Sequence, residues 1–296
     1  MIKQTVFVLI FAIFLFVSCS SEPDSLFDSD QTLIAMEEEQ NDEIKLKNKI
    51  IYSIPSPNEQ FDLLYFLNDA VKPTVINPLS NVSLYSTNSK KALNFGVYIS
   101  DAAYLMRYDQ GKRVFLDYVS TLEKLGQDLD ITKIYGEELV TQVEEIGADT
   151  ERLFEISSQN YLTIYDQLIE NNKGVELALI LGGSWIETMH ILFNSSKQFN
   201  ENIEVQGYIV DQRFVLENLK GFVEEYKNDV RLEPLLGYFE RLGSVYKKLE
   251  CEKSNLEIES EDGIMILNGG TTCTFTSSSY KEMKSIINQI RTSIIS

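Results

Sequence analysis

The chain contains a single histidine, His190, and this scarcity removes several kinds of catalytic site. A di-iron carboxylate bundle needs two Glu-x-x-His motifs, and the one formed by Glu187 and His190 has no second copy. A Ser-His-Asp triad would also have to use His190, and no Gly-x-Ser-x-Gly nucleophile motif or glycine-rich phosphate loop occurs. The sequence suggests no cofactor, and one metal ion at Glu187 and His190 with distant carboxylates is the remaining metal possibility.

Basic residues are also scarce. Lysine and arginine number 26 against 45 aspartates and glutamates, which gives a net charge of −19. A basic face for phosphates is disfavoured at this balance, so we expect no nucleic-acid partner and no direct binding to anionic lipids. The acidic surface favours solubility.

Only six prolines and fifteen glycines interrupt a chain that is 44% hydrophobic, and apolar residues recur with helical spacing along most of it. The sequence therefore predicts an all-α fold, an antiparallel multi-helix bundle, with a small β-hairpin-like element near residues 256–276. The predicted helices are 33–51, 61–67, 89–108, 112–125, 132–146, 150–171, 175–193, 206–226, 233–249 and 280–295. Thr87 is a predicted N-cap, and Gly126 a predicted C-cap. The β element is predicted as strands around residues 256–258 and 264–267, a turn at Asp262-Gly263, and a third strand over 271–276.

The first nineteen residues have the form of a secretory signal that ends at a cysteine. Lys3 precedes an apolar run over residues 6–17, which is shorter than the roughly 20 residues that span a bilayer. Phe16-Val17-Ser18-Cys19 resembles a bacterial lipobox, with Phe16 in place of the usual leucine. We expect residues 1–18 to be a lipoprotein signal peptide, after which Cys19 carries a lipid that anchors the chain to the membrane. The alternative is an ordinary signal peptide with a chance cysteine.

The residues after Cys19 are polar and acidic. Residues 19–30 are predicted to be an acidic tether, and residues 31–296 a single helical domain. The tract resembles short Ser/acidic export signals of outer-membrane lipoproteins, so we expect an outer-membrane lipoprotein. Acidic spacers also occur on lipoproteins that face inward, so the periplasmic and surface faces both stay open.

Besides Cys19, the chain has two cysteines, Cys251 and Cys273. An oxidising envelope would allow a disulfide between them. Cys251 falls at the end of a predicted helix and Cys273 in a predicted strand, so two buried free thiols are an equal alternative.

Four stretches have distinctive sequences: IPSP at 54–57, KALNFGVY at 91–98, SDAAY at 100–104 and LGGSWIE at 181–187. With them, most of the chain after the tether resembles an uncharacterised family of Bacteroidetes lipoproteins. The resemblance implies a lipoprotein with a helical fold, and it implies no activity.

Two helical faces carry the candidate ligand-binding residues, which are Tyr98, Asp101, Tyr104, Tyr108, Glu187 and His190. Asp101, Tyr104 and Tyr108 belong to a polar, tyrosine-rich stripe on the predicted helix 89–108. The stripe could line a ligand groove, or it could face solvent or a neighbouring helix with Asp101 bonded to a tyrosine hydroxyl.

Glu187 and His190 share one face of the predicted helix 175–193, on which Gly182-Gly183 indicates close approach by another helix or by a ligand. Trp185 points about 160° away from Glu187, at 100° per residue, and is predicted to lie in the core or on a different surface.

No convergent catalytic set is present. We therefore expect a non-enzymatic, lipid-anchored cell-envelope protein whose helical domain binds an envelope protein partner or a small ligand. The alternative is an envelope hydrolase or metal-dependent enzyme with an acidic site around Asp101, Glu187 and His190.

Overall fold

The computed structural model describes residues 54–65, 73–106, 111–131, 150–195, 203–261 and 264–296. All of them belong to one compact unit, Lys49–Ser296. The preceding unit, Met1–Asn48, lies outside the described residues. The signal peptide, Cys19, the tether and the domain start at residue 31 therefore stay predictions, as do the predicted helices 33–51 and 132–146, which lie outside the described residues.

The expectation of an all-α fold with a small β-hairpin is confirmed. The described residues form eight α-helices and one antiparallel pair of strands. In chain order these are α1 Pro57–Tyr65, α2 Asn88–Met106, α3 Gly111–Asp128, α4 Thr150–Glu170, α5 Gly174–Ser195, α6 Ile203–Glu225, α7 Glu233–Tyr246, β1 Glu250–Glu261, β2 Ile264–Thr274 and α8 Ser277–Ile295. Short 3₁₀ turns occupy Pro73–Val75, Leu79–Leu84 and Val230–Leu232.

Helices α2 and α5 form the centre of the fold. Every residue of α2 from Asn94 to Met106 is buried. In α5, the segment Gly174–Asn194 is apolar and long enough to cross a membrane, with a mean hydropathy of 1.3, but 83% of that apolar window is buried inside the protein. Its composition is therefore that of a core helix surrounded by other helices.

Glycines let α2 and α5 approach each other closely. A Cβ on Gly96 would lie 2.7 Å from the backbone nitrogen of Ser184, and a Cβ on Gly183 would overlap the carbonyl group of Leu93. The close helix approach predicted at Gly182-Gly183 is therefore confirmed for Gly183. Next to this crossing, the Ser100 hydroxyl bonds the Ser184 carbonyl oxygen at 2.9 Å, which satisfies a polar group that the tight packing buries.

The last helix, α8, packs against α5, α7 and α2. Thr276 caps its start, where the side-chain oxygen accepts the Ser279 N–H at 3.1 Å. Met283, Ile287, Ile290 and Ile294 form its buried stripe. Trp185 lies in the core, one of the two positions that the sequence left open, and its indole N–H donates to Gln212 at 2.9 Å.

The start of α2 and the end of α3 are the two helix ends at which the sequence predicted a capping residue. Thr87 caps α2 as predicted, with its hydroxyl oxygen accepting the Lys90 N–H at 3.2 Å. The prediction that Gly126 ends α3 is wrong, because the helix continues to Asp128. The left-handed residue that closes it is Asp130, with φ of 58°, and the Ile131 N–H returns to the Gly126 carbonyl at 2.8 Å.

The β element is longer than predicted and has two strands rather than three. β1 begins at Glu250, so Cys251 lies in a strand and not at the end of a helix. β2 runs unbroken through Thr274 and absorbs most of the predicted third strand, and the predicted turn at Asp262-Gly263 lies outside the described residues. Cys251 and Cys273 face each other in the ladder and form a disulfide.

Candidate functional site

A buried polar cluster lies where α2, α5, α8 and the 3₁₀ segment near residue 75 meet. α2 contributes Asp101, α5 contributes Glu187 and His190, and α8 contributes Arg291. Asp101 and Glu187 are both 0% exposed. The structure therefore joins the two acidic candidates, which the sequence had placed on separate helices, in one cluster.

Glu187 and Arg291 form the strongest contact of the cluster. Arg291 Nε donates to Glu187 Oε2 at 2.9 Å, and its Nη2 donates to Oε1 at 3.0 Å. This bidentate geometry suits a guanidinium and a carboxylate. Burial acts to lower the Arg291 pKa, but the hydrogen bonds and the charge of Glu187 outweigh it and raise the pKa. The arginine therefore stays charged although its side chain is only 12% exposed.

Asp101 is the second acid of the cluster, and positively charged groups stabilise its charge less than that of Glu187. Its Oδ2 accepts the Asn77 backbone N–H at 3.1 Å, whereas the sequence suggested a tyrosine hydroxyl. Its Oδ1 is buried and has no hydrogen-bond partner among the described residues. Burial, and then the negative charge of Glu187, raise the pKa of Asp101 well above its usual range. Asp101 therefore holds its proton more tightly than a free aspartate does.

His190 lies at the edge of the cluster and connects the same elements. Its Nδ1 is 2.8 Å from Asn288 Oδ1 on α8, and its Nε2 is 3.1 Å from the Val75 carbonyl oxygen. Arg291 Nη2 also donates to the Val75 carbonyl, at 3.2 Å. Burial lowers the pKa of His190, and the nearby Glu187 charge offsets part of that effect. These contacts tie the 3₁₀ segment to α5 and α8.

Three tyrosines hold the segment that covers Asp101. Tyr118 donates to the Asn77 carbonyl at 3.2 Å, Tyr98 donates to the Pro78 carbonyl at 3.0 Å, and the Asn77 amide donates to the Tyr85 hydroxyl at 2.8 Å. Burial raises the pKa of all three hydroxyls; Tyr98 and Tyr118 act as donors, and Tyr85 acts as an acceptor. Tyr98 therefore positions the backbone around Asp101 and does not line an open groove.

The other candidates are separate from the cluster. Tyr104 is 0% exposed and makes an edge contact with Phe61, at 5.8 Å between ring centres. Tyr108 lies outside the described residues. The tyrosine-rich stripe, as far as the structure describes it, thus faces the interior.

Sequence reasoning missed Arg291, Asn77 and Asn288. Arg291 directly follows Ile290 of the buried stripe of α8. A cation beside a strongly apolar stripe is a signal that could have identified it. Asn77 contributes mainly backbone groups to the cluster, and no pattern in the sequence marks it.

The chemistry of the cluster is that of an internal polar junction. In the described part of the chain, no three His, Cys, Asp or Glu side chains are grouped as metal ligands. Asp101 and Glu187 are both buried, and neither is exposed to solvent. As the structure stands, the contacts described above fasten α8 and the 3₁₀ segment onto the α2–α5 pair.

Comparisons with known proteins add no family assignment. The chain matches no protein-family model, no curated protein and no solved structure.

Proposed function

We propose that this protein is a lipid-anchored component of the cell envelope whose helical domain binds a partner or a small ligand without catalysis. One observation supports the non-catalytic part above all others. The two acids that could serve as catalysts are completely buried, and their contacts are to other parts of the same chain. A reaction at this cluster would require α8 or the 3₁₀ segment to open.

The anchor rests on the amino-terminal sequence that ends at Cys19. The test is labelling of growing cells with radioactive palmitate, followed by membrane fractionation, with Cys19→Ala as the matched control. We expect label and membrane association in the parent protein and neither in Cys19→Ala. An unlabelled parent protein that is released in soluble form would refute the anchor.

The binding role can be tested on protein extracted from envelopes in mild detergent. Native mass spectrometry would show a captured small ligand as a defined extra mass, and cross-linking in intact envelopes would show a protein partner. A clean mass together with no cross-linked product would refute the binding role.

A second candidate function is an envelope hydrolase or metal-dependent enzyme that uses Asp101, Glu187 and His190. The observation that favours it is the burial of Asp101 beside Glu187, which raises the pKa of Asp101, because a carboxyl group with a raised pKa is suited to act as a general acid. Turnover of chromogenic esters, glycosides or phosphoesters that disappears in Asp101→Asn, with folding intact, would support this alternative. For its metal version, Zn²⁺ or Mn²⁺ should raise the melting temperature.

A further inference from the structure

The hairpin of β1 and β2 carries a cystine at its surface. Cys251 and Cys273 lie directly opposite each other in the ladder and are joined by a disulfide. They form the second pair from the base of the hairpin, after Glu250 and Thr274. Cys251 is exposed to solvent and Cys273 is half-buried, so the cystine lies at the surface of the folded protein and outside the helical core.

The two cysteines have different surroundings. Cys273 packs against the hydrophobic core, and it lies two residues before Phe275, which is 5% exposed. The Phe275 ring is 5.8 Å from that of Tyr246, measured between the ring centres. Cys251 belongs to a run of exposed residues over 250–255. Solvent access to the cystine is therefore greater on the side of Cys251.

A lysine lies beside the cystine on the same face of the hairpin. Alternate residues of a strand share a face, and so do residues directly opposite each other in an antiparallel pair. Lys253 and its partner Thr271 therefore share the face of Cys251 and Cys273, whereas Glu252 falls on the opposite face. Lys253 is exposed. In a chain with a net charge of −19, the cystine thus has a positive charge beside it, and a positive charge attracts a thiolate.

Exposure and charge at the cystine suit thiol–disulfide exchange, in which a thiolate attacks one sulfur of a disulfide and the other sulfur leaves. The rate depends on access and on which sulfur is attacked. We propose that this cystine is an exchange site for an external dithiol, whose thiolate is attracted by Lys253 and attacks Sγ of Cys251 while Cys273 leaves. The proposal goes beyond the proposed function and depends on neither the lipid anchor nor the binding of a ligand.

The exchange takes place in two displacements. In the first, the bond between the two Sγ atoms breaks, a new S–S bond joins Cys251 to the dithiol, and Cys273 departs with the electron pair as a thiolate, which takes a proton from water. In the second, the other thiolate of the dithiol attacks the dithiol sulfur of this mixed disulfide and releases Cys251 as a thiolate. The dithiol ends as a cyclic disulfide and has given two electrons to the protein. Exchange therefore switches the hairpin, whose strand β2 packs on α6, between a cross-linked and an unlinked form.

The first test compares the rate of reduction in the folded and the unfolded protein. Dithiothreitol reduces the purified full chain in detergent at one pH, with and without urea at a concentration that unfolds it, and excess N-ethylmaleimide stops the reaction. Mass spectrometry of the peptides that contain Cys251 and Cys273 gives the rate, so that Cys19 does not interfere. We expect the rate in the folded protein to lie within about tenfold of that in the unfolded protein, because an accessible disulfide is reduced without unfolding. Slower reduction of the folded protein than this would overturn the site.

The second test identifies the sulfur that is attacked. The monothiol 2-mercaptoethanol forms a mixed disulfide with one cysteine, and N-ethylmaleimide traps it at early times by blocking the cysteine that leaves. We expect the mixed disulfide on Cys251 and the maleimide on Cys273, in at least about tenfold excess over the reverse arrangement. The protein unfolded in urea is the control and should show no such preference. A smaller excess in the folded protein, or the reverse arrangement, would overturn the assignment of Cys251.

Lys253→Gln tests the contribution of the positive charge. Residues two apart in a strand are separated by about 7 Å, and at this distance in water a unit charge changes the rate of attack by a thiolate about two- to threefold. We expect Lys253→Gln to slow the attack of 2-mercaptoethanol by this factor at low salt, and high salt to remove the difference. Lys124→Gln, on an exposed residue of α3, is the matched control and should react like the parent protein. An unchanged rate in Lys253→Gln, or an equal loss in Lys124→Gln, would overturn the role of Lys253.

Discussion

Arg291 on the last helix binds both carboxylate oxygens of Glu187 on α5, although 104 residues separate the two in sequence. The same guanidinium reaches the Val75 carbonyl. One cation therefore joins three segments of the chain and compensates an acid that is 0% exposed. The ion pair between Glu187 and Arg291 therefore stabilises the packing of α8 against the centre of the fold.

Arg291→Met should lower the free energy of unfolding by about 3–5 kcal/mol, because it leaves the Glu187 charge buried without a partner. Urea denaturation at pH 7 measures the change. Glu187→Gln combined with Arg291→Met should recover part of the loss, since the double variant buries no unpaired charge. Arg241→Met is the control, on an exposed residue of α7, and should change stability by less than about 0.5 kcal/mol. A similar small change in Arg291→Met would contradict the role of the pair.

Asp101→Asn should flatten the pH dependence of stability. The folded-state pKa of Asp101 is raised above the ordinary 3.8, so its contribution to stability is complete below about pH 4 and is lost as the pH rises through the folded pKa. While the folded form keeps its proton and the unfolded form does not, each pH unit lowers stability by at most about 1.4 kcal/mol. Asparagine keeps the shape, can donate to Glu187 and does not titrate.

The measurement for Asp101→Asn is a series of urea denaturation curves between pH 4 and pH 8. Asp117→Asn, on an exposed residue of α3, should reproduce the slope of the parent protein. A variant Asp101→Asn with the parent slope would show that Asp101 is ionised in the folded protein.

The sequence was informative where a signal is local. The spacing of Tyr161, Ile164, Tyr165 and Leu168 predicts one buried stripe on α4, and three of these residues are buried while Tyr165 is half-buried. The polar cluster was harder to predict from the sequence, because the contact between Glu187 and Arg291 depends on how α5 and α8 cross. Helix ends were also uncertain. Gly126 had the right residue type for a cap, but Asp130 adopts the left-handed conformation four residues later.

Gly183→Ala and Gly237→Ala should change stability in opposite directions. A Cβ on Gly183 would overlap the backbone carbonyl of Leu93, and backbone atoms cannot turn aside as the end of a flexible side chain can. We expect a loss of about 2–3 kcal/mol or more. A Cβ on Gly237 in α7 would meet no atom within 4 Å, so alanine should add about 0.5–1 kcal/mol through its better helix propensity. Thermal and urea unfolding measure both changes, and a stabilising Gly183→Ala would refute the close crossing.

Removal of the disulfide should loosen the hairpin and leave the helices intact. An isolated pair of strands is marginally stable in water, and the cystine closes a loop between residues 22 apart, a constraint of about 3 kcal/mol on the open hairpin. In Cys251→Ser combined with Cys273→Ser, hydrogen exchange should accelerate across 250–274, while the helical circular dichroism and its melting temperature stay nearly unchanged. The parent protein under reducing conditions is the matched control and should show the same exchange pattern. If the helices melted together with the hairpin, the β element would be part of the cooperative core, and the disulfide would stabilise the whole domain.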